Sequence, residues 1–274
     1  MFEDIPFNIN PCADWHNPDH YRLLLESDRA GWAGEWLRRN PAFIADMQRA
    51  PCRAHSDVSG AYGHVPAITC TEPQSMRRWG LRCCHMDGDR PMFFWLPQYN
   101  PQVLAVEAFA DETDGFDLRR CSLLKAVLHG PEQETHLLFK DDARSLQVVI
   151  RGSVALEKPL VFNCNLHGWN EFGTKPLSLR RLCQLYRQDR LVKSLYPREQ
   201  RARRWVEMIR TWDGIQTGAG QREIAATLFG GRAARDGWET GYRTRMQRLV
   251  RSGKRMVGAR RAVGDYYRSE CFPR

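Results

Sequence analysis

No apolar run in the 274 residues approaches the roughly 18 that cross a bilayer. The opening "MFEDIPFNIN" is acidic and lacks an apolar signal core, so no secretory leader is expected. A Gly-x-x-x-x-Gly-Lys-Ser/Thr loop is missing, which argues against nucleotide hydrolysis. Nine cysteines occur, yet no Cys-x-x-Cys pair. Cys70, Cys83, Cys84 and His85, with Cys52, come nearest to a zinc set, but adjacent Cys83-Cys84 is poor geometry for paired ligands. The thiols are therefore expected to be reduced, in a cytoplasmic protein, and no metal or cofactor is expected. None of the eight histidines has an Arg three residues later, so the His-x-x-Arg box of a tyrosine recombinase is absent. Tyr266 and Tyr267 then read as packing residues. Asp87 with Asp89, Asp111 with Glu112 and Asp141 with Asp142 are the acidic pairs a metal-dependent nuclease would use. All sit in turn-like sequence, where Asp is expected without a metal. The reading is not an enzyme.

What the sequence has in quantity is positive charge, and in one place. The net charge is +9. From Glu171 to Arg274 there are 24 Lys and Arg against 10 Asp and Glu, a net +14. The first 170 residues hold 17 basic and 22 acidic side chains, a net −5. A polycationic third on a mildly acidic body points to a polyanionic partner. The bland alternative is a basic, well-solvated helical domain.

Element signals divide the chain. In "DWHNPDHYRLLLESDRAGWAGEWLRRNPAF", Asn17 is a good helix cap and Pro18 suits a first turn. Gly31 is expected to break or bend the path. Trp32 and Trp36, four apart, fit one buried helix face, and Asn40 before Pro41 ends it. A third helix is expected from Pro41 to about Arg49. Residues 1–50 thus form a helical module. Residues 51–75, rich in Pro, Gly, Ser and Thr, read as a linker. The stretch 76–170 reads as a small antiparallel α+β unit. "PMFFWLP", "VLAVEAFA" and "PLVFNCNLHG" are strands, and "THLLFKDDARSLQVVIRG" is a hairpin turning at Asp141-Asp142. "DLRRCSLLKAVLHG" has apolar residues at three- and four-residue steps and is expected to be a helix. Residues 174–274 read as an all-helical domain: one helix capped by Ser178, one starting at Pro197, then "QREIAATLFGG" and "YRTRMQRLVRSGKRMV". The fold class is α+β.

The last two helices make the sharpest local pattern. Ile224, Leu228 and Phe229 give the first an apolar face, and Ala225 allows close crossing. Met246, Leu249, Val250, Gly253 and Val257 form one stripe on the second. Its six Lys and Arg lie off that stripe, with no acid among the sixteen residues. A buried support helix with a basic presented helix is the layout of a helix-turn-helix. The major groove admits one α-helix, Arg bonds guanine in pairs and Gln does so for adenine. Arg243, Thr244, Arg245 and Gln247 are the candidate base readers. Arg248, Arg251, Lys254 and Arg255 are candidate phosphate binders, with Arg222 on the support helix. About ten residues, "GRAARDGWET", separate the helices, against the usual three or four. Either the turn is extended or Trp238 starts the second helix early. The competing reading is a non-specific nucleic-acid accessory, such as a recombination cofactor or an RNA binder.

"DW…Y..LL..DR.GWA.E.LRRNP" resembles the N-terminal module of bacterial transcriptional-regulator-like proteins. "QREIAATLFG", Trp238 and "RTRMQRLVRSGKRMV" resemble the DNA-binding domain of RovC-like transcriptional activators, and the hairpin resembles the segment preceding it. The resemblance runs from residue 14 to about 258, and the sequence departs from the pattern after Val257. It implies an activator that binds double-stranded promoter DNA as a homo-oligomer and admits RNA polymerase as a second partner. It also implies a likeness to activators controlling excision of integrative and conjugative elements. No membrane partner is expected, because the apolar stripe of the basic helix is needed for packing.

Overall fold

In a computed structural model, the described residues are 14–258 without 50–52, 56–64, 66, 70–72, 88–89 and 131–132. They fall into two compact units. One joins the N-terminal segment through Ile44 to the chain from Arg198 onward; the other is Ala45–Pro197. Tyr266, Tyr267, Cys52, Cys70 and Asp89 lie outside the described residues.

The first unit opens with a 3-10 helix, Pro18–Glu26, capped by the Asn17 side chain, which accepts from the Asp19 N–H. The break falls at Ser27–Asp28 and not at Gly31. Asp28 accepts from the Gly31 N–H at 3.1 Å, so Gly31 sits inside the first turn of α1 (Arg29–Leu37). Asn40 then caps α2 (Pro41–Arg49), accepting from the Ala42 and Phe43 amides.

The second unit is a seven-stranded sheet in the order β1-β2-β6-β7-β8-β5-β9 with a two-stranded ribbon. β1 (Arg53–His55) and β2 (Ala67–Thr69) lie within the stretch read as a linker, and α3 (Pro73–Arg77) leads to the ribbon β3 (Leu81–Asp87) and β4 (Arg90–Trp95). Then come β5 (Leu104–Ala110), β6 (Leu124–His129), β7 (Thr135–Lys140), β8 (Ser145–Arg151) and β9 (Leu160–Asn163). The sheet is not purely antiparallel: β2 pairs parallel with β6, and β5 with β8.

"DLRRCSLLKAVLHG" is a correction. Only Leu118–Arg120 forms a turn of 3-10 helix; the rest enters strand β6. The cause is burial on both sides. Leu124 and Val127 point into a core shared with Leu182 and Leu185 of α4 (Gly168–Gln188). Ala126 and Leu128 face Phe94 and Met92 of the ribbon. A strand covered on both faces is apolar throughout, so its periodicity imitates a helix. Gln147 joins ribbon to sheet like a piece of backbone: it accepts from the Trp95 N–H at 2.8 Å and donates to the Trp95 carbonyl at 2.9 Å.

Three further expectations change. Ser178 is not a cap: α4 begins ten residues earlier, and the buried Ser178 hydroxyl donates to the Gln102 carbonyl at 2.8 Å. The next helix, α5 (Ala202–Gln216), starts after Pro197 and Arg201, not at the proline. Cys83 is disulfide-bonded, whereas Cys84, Cys121, Cys164 and Cys183 are free thiols. The Asp111 and Asp141 carboxylates are used by turns, accepting from the Thr113 and Ala143 amides respectively.

Candidate nucleic-acid interface

The interface is built on α5, α6 (Gln221–Phe229) and α8 (Arg243–Gly258), all in the first unit. Trp205, Met208 and Ile209 of α5 are buried, as are Ile224 and Ala225 of α6 and Met246, Leu249, Gly253 and Val257 of α8. These are the apolar stripes of the sequence. Gly253 sets the closest approach. A Cβ there would lie 3.4 Å from the Met208 carbonyl and 3.7 Å from Trp212 Cβ, so α8 rests directly on α5.

Polar bonds fix this support. Trp32, Trp36 and Trp205 pack as one aromatic cluster with ring centroids 5.2 to 6.3 Å apart. The N-terminal tryptophans are therefore core. Beside them Asp213 of α5 accepts two bonds from Arg39, at 2.7 and 2.8 Å, and one from the Tyr21 hydroxyl at 2.8 Å. Arg39 also reaches Glu35 at 2.7 Å. Burial alone would raise the Glu35 carboxyl, but Arg38 and Arg39 hold it below the usual carboxylate range. At the far end of α8, Asn40 donates to the Val257 carbonyl at 2.6 Å. One side chain thus caps the start of α2 and ties off the end of α8.

The ten-residue connection is not an open loop. Gly230, at φ 91°, ends α6 in a conformation that favours glycine. A short helix α7 (Gly231–Arg235) follows, then a π-helical turn at Trp238–Tyr242 that kinks at Gly241 into α8. Arg222 holds the connection. Its Nε donates to the Ala234 carbonyl at 2.8 Å, and its guanidinium lies 5.9 Å over the Trp238 ring. The connection is therefore extended: the turn at Trp238 precedes α8 and is set off from it by the non-helical Gly241.

All nine candidate contact residues are exposed. The helical repeat sorts those on α8. Thr244, Arg248, Arg251 and Arg255 lie opposite the buried seam. Arg243, Gln247 and Lys254 lie on one flank, and Arg245 on the other. Among the described residues, no ion pair or hydrogen bond engages the side chains of Thr244, Gln247, Arg248, Arg251, Lys254 or Arg255. Arg243 sits 3.6 Å from Glu239. Arg245 is held most firmly. One of its nitrogens donates to both oxygens of Glu207 on α5, each at 3.1 Å, and its guanidinium stacks 3.8 Å above the Phe229 ring. Glu207 has no counterpart in the sequence reading, because its partner is 38 residues away on another helix.

Among the described residues, no helix is long and apolar enough to cross a membrane. Residues 173–262 match the RovC DNA-binding domain, described as "T6SS, Transcription factor, DNA binding domain". Residues 14–84 match a proteobacterial transcriptional regulator-like domain. No curated protein matches the sequence. Taken with the basic, unpaired face of α8, the two matches make this chain a DNA-binding transcriptional regulator, with a RovC-type DNA-binding domain and a proteobacterial transcriptional regulator-like domain.

Proposed function

We propose that the protein is a sequence-specific transcriptional activator that lays α8 in the major groove of double-stranded DNA. The observation that carries this is the face of Thr244, Gln247, Arg248, Arg251, Lys254 and Arg255: exposed, without partners among the described residues, and backed by a helix seam packed to Gly253. Thr244 and Gln247, near the helix start, are the readers, and Arg243 joins them once Glu239 releases it; Arg245, the fourth candidate reader, is held back by Glu207. Arg248, Arg251, Lys254 and Arg255 bind phosphates. Arg222 shapes the connection first and reaches DNA second. The role places the protein in the cytoplasm, acting as a homo-oligomer on repeated half-sites. The family description names T6SS, which supports a secretion-system promoter as target; the likeness to excision activators supports a mobile element.

Selection of bound duplexes from a random pool tests this. Enrichment of a defined motif, especially a repeated half-site, is the expected result. Strong retention without a motif would instead indicate the non-specific accessory. In the same assay Arg251→Ala should lower the slope of log affinity against log salt by about 0.9, the loss of one phosphate contact.

A further inference from the structure

A helix in the major groove has a phosphate wall on each side. The charges of α8 serve these walls unequally. On one flank stand Arg243 and Lys254, with Gln247 between them. The opposite flank holds Arg245, Ser252 and Met256. Arg245 is its one cation, and Glu207 neutralises it. That flank of α8 therefore has no free positive charge of its own.

The neighbouring helix has it. Glu207 places the first two turns of α5 beside Arg245. Arg203 stands one turn before Glu207 on the same stripe, and Arg204 stands next to it, towards the side of α5 on which Met208 meets α8. Both arginines are exposed. Among the described residues, neither has an ion pair, hydrogen bond or ring contact, whereas nearby Arg198 and Arg201 are committed to Glu26 and Glu199. Trp205 and Ile209, on the other side of this turn, are core. The turn is thus rigidly held and presents two unpaired guanidinium groups.

We infer that Arg203 and Arg204 form a second phosphate-binding edge, which grips the DNA strand on the flank of α8 that lacks free charge. This rests on the reading that α8 enters the groove. The partner is the sugar–phosphate backbone, so the edge contributes affinity and registration without sequence preference. Glu207 is the spacer: its carboxylate keeps Arg245 against Phe229 and leaves the strand to the two arginines.

The test uses the full chain and a fluorescein-labelled mixed-sequence duplex of about three helical turns. Binding is titrated across a salt series for the wild type, for R203A with R204A, and for R251A. The double variant should lower the salt slope by about 1.8, two contacts at about 0.9 each. It should leave the melting temperature unchanged and the motif selected from a random pool unaltered. Replacing both by Lys should restore the slope, since a phosphate wall needs charge more than a planar fork. If the double variant keeps the wild-type slope while R251A loses about 0.9, α8 binds DNA and the α5 edge is refuted. If R251A also keeps its slope, the groove reading fails and takes the edge with it.

Discussion

Arg39 and Arg251 belong to the same unit and carry the same charge, but their surroundings are opposite. The Arg39 side chain is 1% exposed and holds Asp213 and Glu35 together. Arg251 is exposed and has no partner among the described residues. Arg210 is like Arg39, donating to the Trp15 and His16 carbonyls; Arg248 and Arg255 are like Arg251. The described arginines of this unit thus include two populations. Buried guanidinium groups assemble the platform, and unpaired ones face outward from it. Charge density pointed to a polyanion as partner. Burial and partners decide which charges are available to it.

Breaking the buried population should have the largest effect. Asp213→Ala leaves Arg39 and the Tyr21 hydroxyl without their shared acceptor inside the core. Removing one partner of a buried pair costs about 3–5 kcal/mol, a large share of the roughly 5–15 kcal/mol that a domain has. Denaturant unfolding should show the midpoint collapsing, and DNA binding should disappear with the fold. Arg251→Ala is the control from the other population. Its stability should stay within about 0.5 kcal/mol of wild type. If both variants unfold alike, the division between platform and contact charges is wrong.

An intermediate effect is expected at Asn40, which serves both sides of the comparison. Asn40→Ala removes the α2 cap and the bond to the Val257 carbonyl. The expected cost is about 1–2 kcal/mol, visible as a lower melting temperature. Hydrogen exchange should speed up in the last turn of α8 and leave its first turn protected. Uniform exchange along α8 would show that Asn40 does not secure its end.

The apolar stripes of α5, α6 and α8 were legible in the sequence, because a helix burying one side repeats its pattern every three to four residues. The N-terminal caps at Asn17 and the β7–β8 hairpin were legible for the same local reason. β6 was not, since a strand buried by α4 on one face and by the ribbon on the other loses its alternation. Ser178 was not either. Its hydroxyl has cap chemistry, but it is buried against Gln102, 76 positions away. The candidate contact residues were legible as charges; which of them were already occupied was not. Nothing within the period of α8 announces that Arg245 meets Glu207.

That pair gives the smallest effect and the sharpest test of the comparison. Arg245 is exposed like the contact charges but paired like the platform charges. The side chains of Arg245 and Glu207 are 47% and 36% exposed, so their ion pair contributes little to stability. Glu207→Gln should therefore change the unfolding free energy by less than about 1 kcal/mol. DNA binding should respond more. Without the carboxylate, Arg245 keeps its stack on Phe229 but is no longer neutralised, and phosphate oxygens can then compete for it. The salt slope should steepen by about 0.9, and affinity for mixed-sequence duplexes should rise. Glu207 would then be a restraint on non-specific binding. An unchanged slope in Glu207→Gln would mean that the Phe229 stack alone keeps Arg245 off the strand, and Arg245 would belong with Arg39 among the platform residues.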